Sequence, residues 1–197
     1  PFPKQALTAH RGVVRFSIDA SNDVPVIHQF YLNGMHDYDV TGASTQQPMG
    51  FDQMAAFYAN YCVLGTKINV KALGTSNTAA SQAIVGLSIH SNQSFTPTNP
   101  EVIIERGNCS YATIGGFSGS DASRQITRKV SMRKWYGVNP TTDDEKCATA
   151  GANPVDGIFG TVWAAPLEPN ANAQVIHFIA TIDFIAKWYN LKQVNAS

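Results

Sequence analysis

His36, Asp37 and Asp39 stand together in the run GMHDYD, and these are residue types that hold metal ions. Only one histidine is present, and the carboxylates alternate along a segment with no regular pattern. A closed metal site needs about four ligands converging on one point, so the run reads as a solvated loop and no metal is expected. The other histidines, His10, His28, His90 and His177, share no spacing. A cupin-type enzyme would need several of them with a carboxylate on adjacent strands. His28 and His90 meet only if their strands share a sheet, and no third ligand stands beside them. Cys62, Cys109 and Cys147 lie far apart with no CxxC pair, so they read as free thiols. No GxSxG, HExxH, Walker loop or GxGxxG occurs. GGFSGSDAS (115–123) is rich in Gly and Ser but lacks the strand-then-helix setting of a phosphate cradle. The sequence offers no catalytic residue and calls for no cofactor.

Cations remain as the second kind of chemistry. Net charge is zero, with Lys plus Arg 14 and Asp plus Glu 14, so nothing global draws the chain to nucleic acid or a membrane surface. Any polyanion contact must come from a local patch. Charged residues make up 14% of the chain, against about 25% in ordinary globular domains. So little charge points to surface that is covered by association. The chain opens on Pro1-Phe2-Pro3, which points to a processed or trimmed start.

The elements that position these residues alternate with period two. NAQVIHFIATIDFIAKWYN (172–190) places Ile176, Phe178, Ala180, Ile182, Phe184, Ala186 and Trp188 on one side. The other side is mixed. A helix would scatter these residues round its axis, so this is a strand of about 15 residues, spanning roughly 50 Å. Burying its five large apolar side chains contributes roughly 7–15 kcal/mol before entropy. Val14, Phe16 and Ile18 share a face, as do Cys62, Leu64, Thr66, Ile68, Val70 and Ala72. Further alternation covers Val26–Leu32, Ala83–Ile89 and Ile126–Met132, and GIFGTVWAAP (157–166) is a short apolar run. GFDQMAAFYANY (50–61) alone has helical spacing. Residues 91–100, 115–121 and 139–154 read as long polar loops. No apolar run reaches the length of a membrane span and no secretory signal is visible. One all-β domain, 1–197, with a sandwich or barrel architecture follows.

Three stretches in this order resemble a known family: FYANYCVLGTKINVKAL (57–73), ITRKVSMRKWYG (126–137) and VIHFIATIDFIAKWYNL (175–191). They are similar to segments in the capsid proteins of circovirus-like, circular Rep-encoding single-stranded DNA viruses. The resemblance implies a single eight-stranded jelly roll, with sheets BIDG and CHEF. It also implies sixty copies closing into a T=1 icosahedral shell round the genome, a place in the virion, and assembly in the host nucleus. On this mapping B is 12–19, C 24–33, D 62–73, E 82–91, F 123–132, H 157–165 and I 174–189, and G falls within 134–156. The family carries an Arg-rich N-terminal arm, whereas residues 1–10 hold only Lys4 and His10.

If B, I and D are neighbours with even positions inward, the odd positions share the opposite face. Arg11, Arg15, Lys67, Lys71, His177 and Lys187 then oppose Asp19 and Asp183 there, a candidate surface for single-stranded DNA. The other reading is a subunit contact or a solvated face. Arg124, Arg128, Lys129, Arg133 and Lys134 form a second basic run, split by alternation across both faces. They are either scattered surface charge, pairing in part with Asp143 to Glu145, or a dock for acidic cell-surface glycans. Phe117, Trp135 and Tyr136 are candidate anchors between subunits, because aromatic residues dominate interface hot spots, with core packing as the alternative. A carbohydrate-binding jelly-roll lectin and the coat of a small RNA virus are the competing functional readings.

Overall fold

The long C-terminal ribbon is the spine of one sheet. In the computed structural model, which describes residues 3–20, 24–43, 45–74, 82–115, 123–168 and 175–193, strand β9 (Val175–Leu191) pairs antiparallel on both sides along nearly its whole length. On one side lies β1 (Gln5–Asp19), from Gln5 opposite Tyr189 to Asp19 opposite Val175. On the other lies β3 (Tyr58–Gly74). Strand β6 (Ser123–Ser131) completes the order β1-β9-β3-β6. The second sheet runs β2-β8-β4-β5, from β2 (Val26–Tyr31), β8 (Phe159–Pro166), β4 (Ala83–His90) and β5 (Cys109–Ile114). A two-residue strand, β7 (Ala148–Thr149), adds to β3.

In jelly-roll letters these orders are B-I-D-G and C-H-E-F. Two letters move from their expected places. Strand F is Cys109–Ile114, not 123–132, and Ser123–Ser131 is G. Strand β5 is an edge strand in which only Ile114 is fully buried, so CSYATI shows no apolar alternation. The segment 134–156, where G was expected, instead holds helix α3 (Met132–Tyr136), two 3-10 turns (Pro140–Thr142 and Asp144–Lys146) and β7.

Even positions of β1 and β9 point inward without exception from Ile176 to Trp188. Phe178, Ile182, Phe184 and Trp188 pack in the core against Phe30, Tyr61 and Ile68. Strand β3 obeys the parity only from Thr66 onward. Its register with β9 shifts between Val63 and Gly65, so Leu64 is a bulged extra residue. Before the bulge it is Tyr61 and Val63 that enter the core. Cys62 therefore faces the opposite way from Ile68, a correction to the expected single face, and is buried under the 139–147 segment.

Helix α1 (Phe51–Phe57) forms where helical spacing placed it, entered through Gly50 at a φ of 84°. Helix α2 (Pro100–Glu105) and α3 are further short helices. Asn99 caps α2 by accepting from the Val102 N–H. The segment carrying α2 folds back over the second sheet, where Phe95 and Ile103 cover Trp163, Ile84 and Ala165. Strands β4 and β8 are consequently buried on both faces. Among the described residues, the outward face of the β1-β9-β3-β6 sheet has no such cover over most of its area. Leu7 (68%), Val13 (54%) and Ile185 (50%) stand exposed on it.

Candidate functional site

The bare face is built in rows, because residues opposite one another on an antiparallel ladder lie side by side on one face. The central row reads Arg11, Asp183, Lys67, Lys129 across β1, β9, β3 and β6. The Arg11 Nε donates to Asp183 Oδ1 at 2.5 Å. The Asp183 carboxylate is thus flanked by two cations, with a third beyond. Two rows along lies Arg15, Ile179, Lys71, Gln125, and the row after it holds Ser17, His177 and Leu73, with Ser17 Oγ 3.0 Å from His177 Nδ1. Toward the other end, Lys187 lies between Leu7 and Cys62. A shallow groove of about 530 Å³ runs along the middle, lined by Leu64, Lys67, Lys129, Asp183 and Ile185.

All six residues expected on this face, Arg11, Arg15, Lys67, Lys71, His177 and Lys187, lie on it. Lys129 joins them from β6. The face then carries six permanent cations against Asp19 and Asp183 among the described residues of its four long strands. Sequence reasoning placed Lys129 in the other basic run, because the strand after Ser123 was lettered F and so assigned to the opposite sheet. The cations alternate with exposed Val13, Ile179 and Ile185 rather than with rings. Tyr189, at the far end, is the one aromatic residue at the described odd positions of β1, β9 and β6 and of β3 beyond its bulge, Tyr61 before the bulge being turned into the core.

The second basic run does not form one patch. Arg124 and Arg128 lie on the inward parity of β6, at the open edge between the sheets, and Arg128 Nη1 donates to Ser110 Oγ at 3.1 Å. Arg133 and Lys134 are exposed on α3. The acidic loop takes its partner from within, since Lys146 pairs with Asp143 and approaches Asp156 at 3.8 Å. Trp135 and Tyr136 are half-buried against the core. The Tyr136 hydroxyl donates to the Asp156 carbonyl at 2.7 Å, and the Lys146 ammonium sits 5.0 Å above its ring. Phe117 lies outside the described residues.

The GMHDYD run is not the solvated loop expected. Met35, Tyr38 and Asp39 are buried. Asp39 Oδ1 accepts from His28 Nε2 at 2.7 Å and from the Gly42 N–H at 3.0 Å. Asp37 Oδ1 accepts from the Gln46 N–H. Both carboxylates thus tie the loop to its surroundings. Strand β8 runs between β2 and β4, so His28 and His90 have no common site. His28 stacks on Phe16 at 4.0 Å and His90 on Phe95 at 4.3 Å. Burial pulls the His90 imidazole down to about 4. His10 is also held below its ordinary value by burial, against a weaker opposing bond to the Met49 carbonyl. Its Nδ1–H donates to that carbonyl, so Nε2 is left to accept from the Trp188 indole N–H at 3.2 Å.

Two sheets of four long strands in B-I-D-G and C-H-E-F order, one face bare and one covered, can be set beside solved structures. The 60-mer BFDV (circovirus) capsid protein superposes over 100% of both chains, with a TM-score of 0.51 and 10% identity. Sacbrood virus of honeybee in expansion state II gives 0.50 at 15% identity, covering 95% of this chain and 87% of that one. The chain has the fold of viral coat proteins. The decameric BFDV capsid protein matches at 0.50 and 10% identity over 93% and 99% of the two chains. No protein-family model matches the chain, and no curated protein matches it in sequence.

Proposed function

We propose that this chain is the coat subunit of a small icosahedral virus, and that the bare face of its long sheet lines the particle and meets the packaged genome. The observation that carries the reading is the pairing of a coat-protein fold over the full chain with one uncovered sheet face on which cations gather. These 197 residues are neutral and charge-poor overall, so within them a polyanion contact falls to a local patch of this kind. Rings are confined to the end of this face, so contact falls to phosphates rather than to stacked bases. Three phosphate contacts per subunit give a log–log salt slope of about −2 for a single strand. Such a contact is weak for one copy and strong for many copies acting together in a closed shell.

The finer reading is a T=1 shell of sixty copies round circular single-stranded DNA, assembled in the host nucleus. It rests on the sequence resemblance and on the 60-mer state of the BFDV capsid protein. An RNA genome is the second reading, favoured by the equal likeness to the sacbrood virus structure. Arg133 and Lys134 on α3 are the members of the second basic run that are exposed away from the bare sheet face, and they are the proposed contact for acidic glycans. The test is to express the chain, purify particles, and digest the protected nucleic acid with DNase or RNase. Nuclease-resistant single-stranded DNA supports the first genome reading. RNA alone supports the second, and no particles removes both.

A further inference from the structure

We propose that Cys62 and Cys147 are a redox modification site, closing a cross-strand disulfide that fastens the 139–156 segment to β3. The ladder between β3 and β7 pairs Asn60 with Thr149 and Tyr61 with Ala148. On an antiparallel ladder the next residues opposite one another are Cys62 and Cys147. The Ala150 N–H donates to the Ala59 carbonyl at 2.8 Å, which makes that a hydrogen-bonded pair. Pairs alternate along such a ladder, so Tyr61 with Ala148 is again hydrogen-bonded and Cys62 with Cys147 is not. Non-hydrogen-bonded pairs hold their Cα atoms about 4.5 Å apart with side chains on one face. Disulfides need Cα atoms about 4.4–6.8 Å apart. Extended by one pair beyond Tyr61 and Ala148, the register brings Cys62 and Cys147 to bridging distance.

The surroundings fit. Both residues are free thiols in the structure, and both are buried. Cys62 Sγ donates to the Lys146 carbonyl at 3.7 Å and Cys147 Sγ to the Pro140 carbonyl at 3.2 Å, so the turn at 140–146 folds over the two sulfurs. Cys147 also lines a surface cleft of about 440 Å³ with Asn60, Asp144, Tyr189 and Asn190, which gives an oxidant its entry. Hydrogen bonding from the Cys62 thiol and from Tyr189 lowers the Cys147 thiol, whereas Cys62 is raised by its bond to Cys147 and by burial. Cys147, the one of the two that lines the cleft, is the attacking thiol.

With glutathione disulfide as oxidant, the Cys147 thiolate attacks one sulfur, forms a mixed disulfide and expels one glutathione thiolate. Cys62 then loses its proton to solvent and attacks the Cys147 sulfur. That step expels the second glutathione thiolate and forms the internal bond. Two protein thiols are oxidised and one glutathione disulfide is reduced to two thiols.

The experiment treats the purified, reduced chain with glutathione disulfide at pH 8 in sub-denaturing urea, and reads intact mass, free thiols and melting temperature. The expected result is a mass lower by two hydrogens and a fall from three thiols to one, Cys109 on the other sheet remaining free. A single cross-linked peptide should contain Cys62 and Cys147. Tm should rise by roughly 5–15 °C, reversed by dithiothreitol. Cys62→Ser and Cys147→Ser should each abolish the rise. Three unchanged thiols, a stable glutathione adduct without closure, or a link through Cys109 would overturn the proposal.

Discussion

Asp183 is the acid at the centre of the bare face, and its cross-strand neighbours are Arg11 and Lys67. Asp183→Asn should leave the fold intact and free both cations for phosphate. Filter binding to single-stranded DNA across a salt series should then show a slope steeper by about 0.7 for each additional phosphate neutralised, and an unchanged slope would mean the row does not meet phosphate. His10 makes a different prediction. Its folded state favours the neutral ring, so the stability it contributes is present above pH 6.5 and is lost as pH falls through the lowered folded value. His90 acts in the same sense down to about 4, and Asp143, held low by its bond to Lys146, adds to the loss in acid. Melting temperature should therefore drop steadily below pH 6.5, and His10→Gln should flatten the upper part of that drop. A third residue tests packing. A Cβ on Gly86 would lie 2.3 Å from the Trp163 ring. Gly86→Ala should destabilise by roughly 1–3 kcal/mol in urea unfolding, with an unchanged denaturant slope.

Strand β9 was readable from sequence because its buried parity is unbroken from Ile176 to Trp188 and no residue departs from it. The positions of Arg11, Arg15, Lys67 and Lys71 followed from the same alternation. Strand β5 was not readable, since an edge strand with little burial leaves no apolar period. Its loss displaced F and G and separated Lys129 from the face it shares with Lys67. The bulge at Leu64 was also hidden. Cys62 and Leu64 are apolar enough to extend the even face in sequence, while the register shift turns that part of the strand over. The bulge gives a sharp contrast. With Leu64 deleted, Val63 and Gly65 become neighbours and keep their partners Ala186 and Ile185, so the ladder runs on regularly. That deletion should be folded and cooperative by circular dichroism. Deleting Asn69, beyond the bulge, turns one flank of β3 over and should abolish the cooperative transition.

The two sheets of the molecule differ in what lies outside them. The second sheet is covered by the chain's own α2 segment, with Trp163 and Ile103 buried between them. The first leaves cations and scattered aliphatic residues uncovered. The coat-subunit role proposed above accounts for that asymmetry, because a closed shell would give its two surfaces different neighbours. Replacing Lys67, Lys71 and Lys129 together by Glu should leave assembly intact while cutting the nucleic acid that co-purifies, read as the 260/280 nm ratio, by severalfold. The most direct test of the account is cryo-electron microscopy of the assembled chain. It predicts uniform closed particles in which β1, β9, β3 and β6 line the interior. A chain that stays monomeric at particle-forming concentration, or shells with that sheet turned outward, would contradict it.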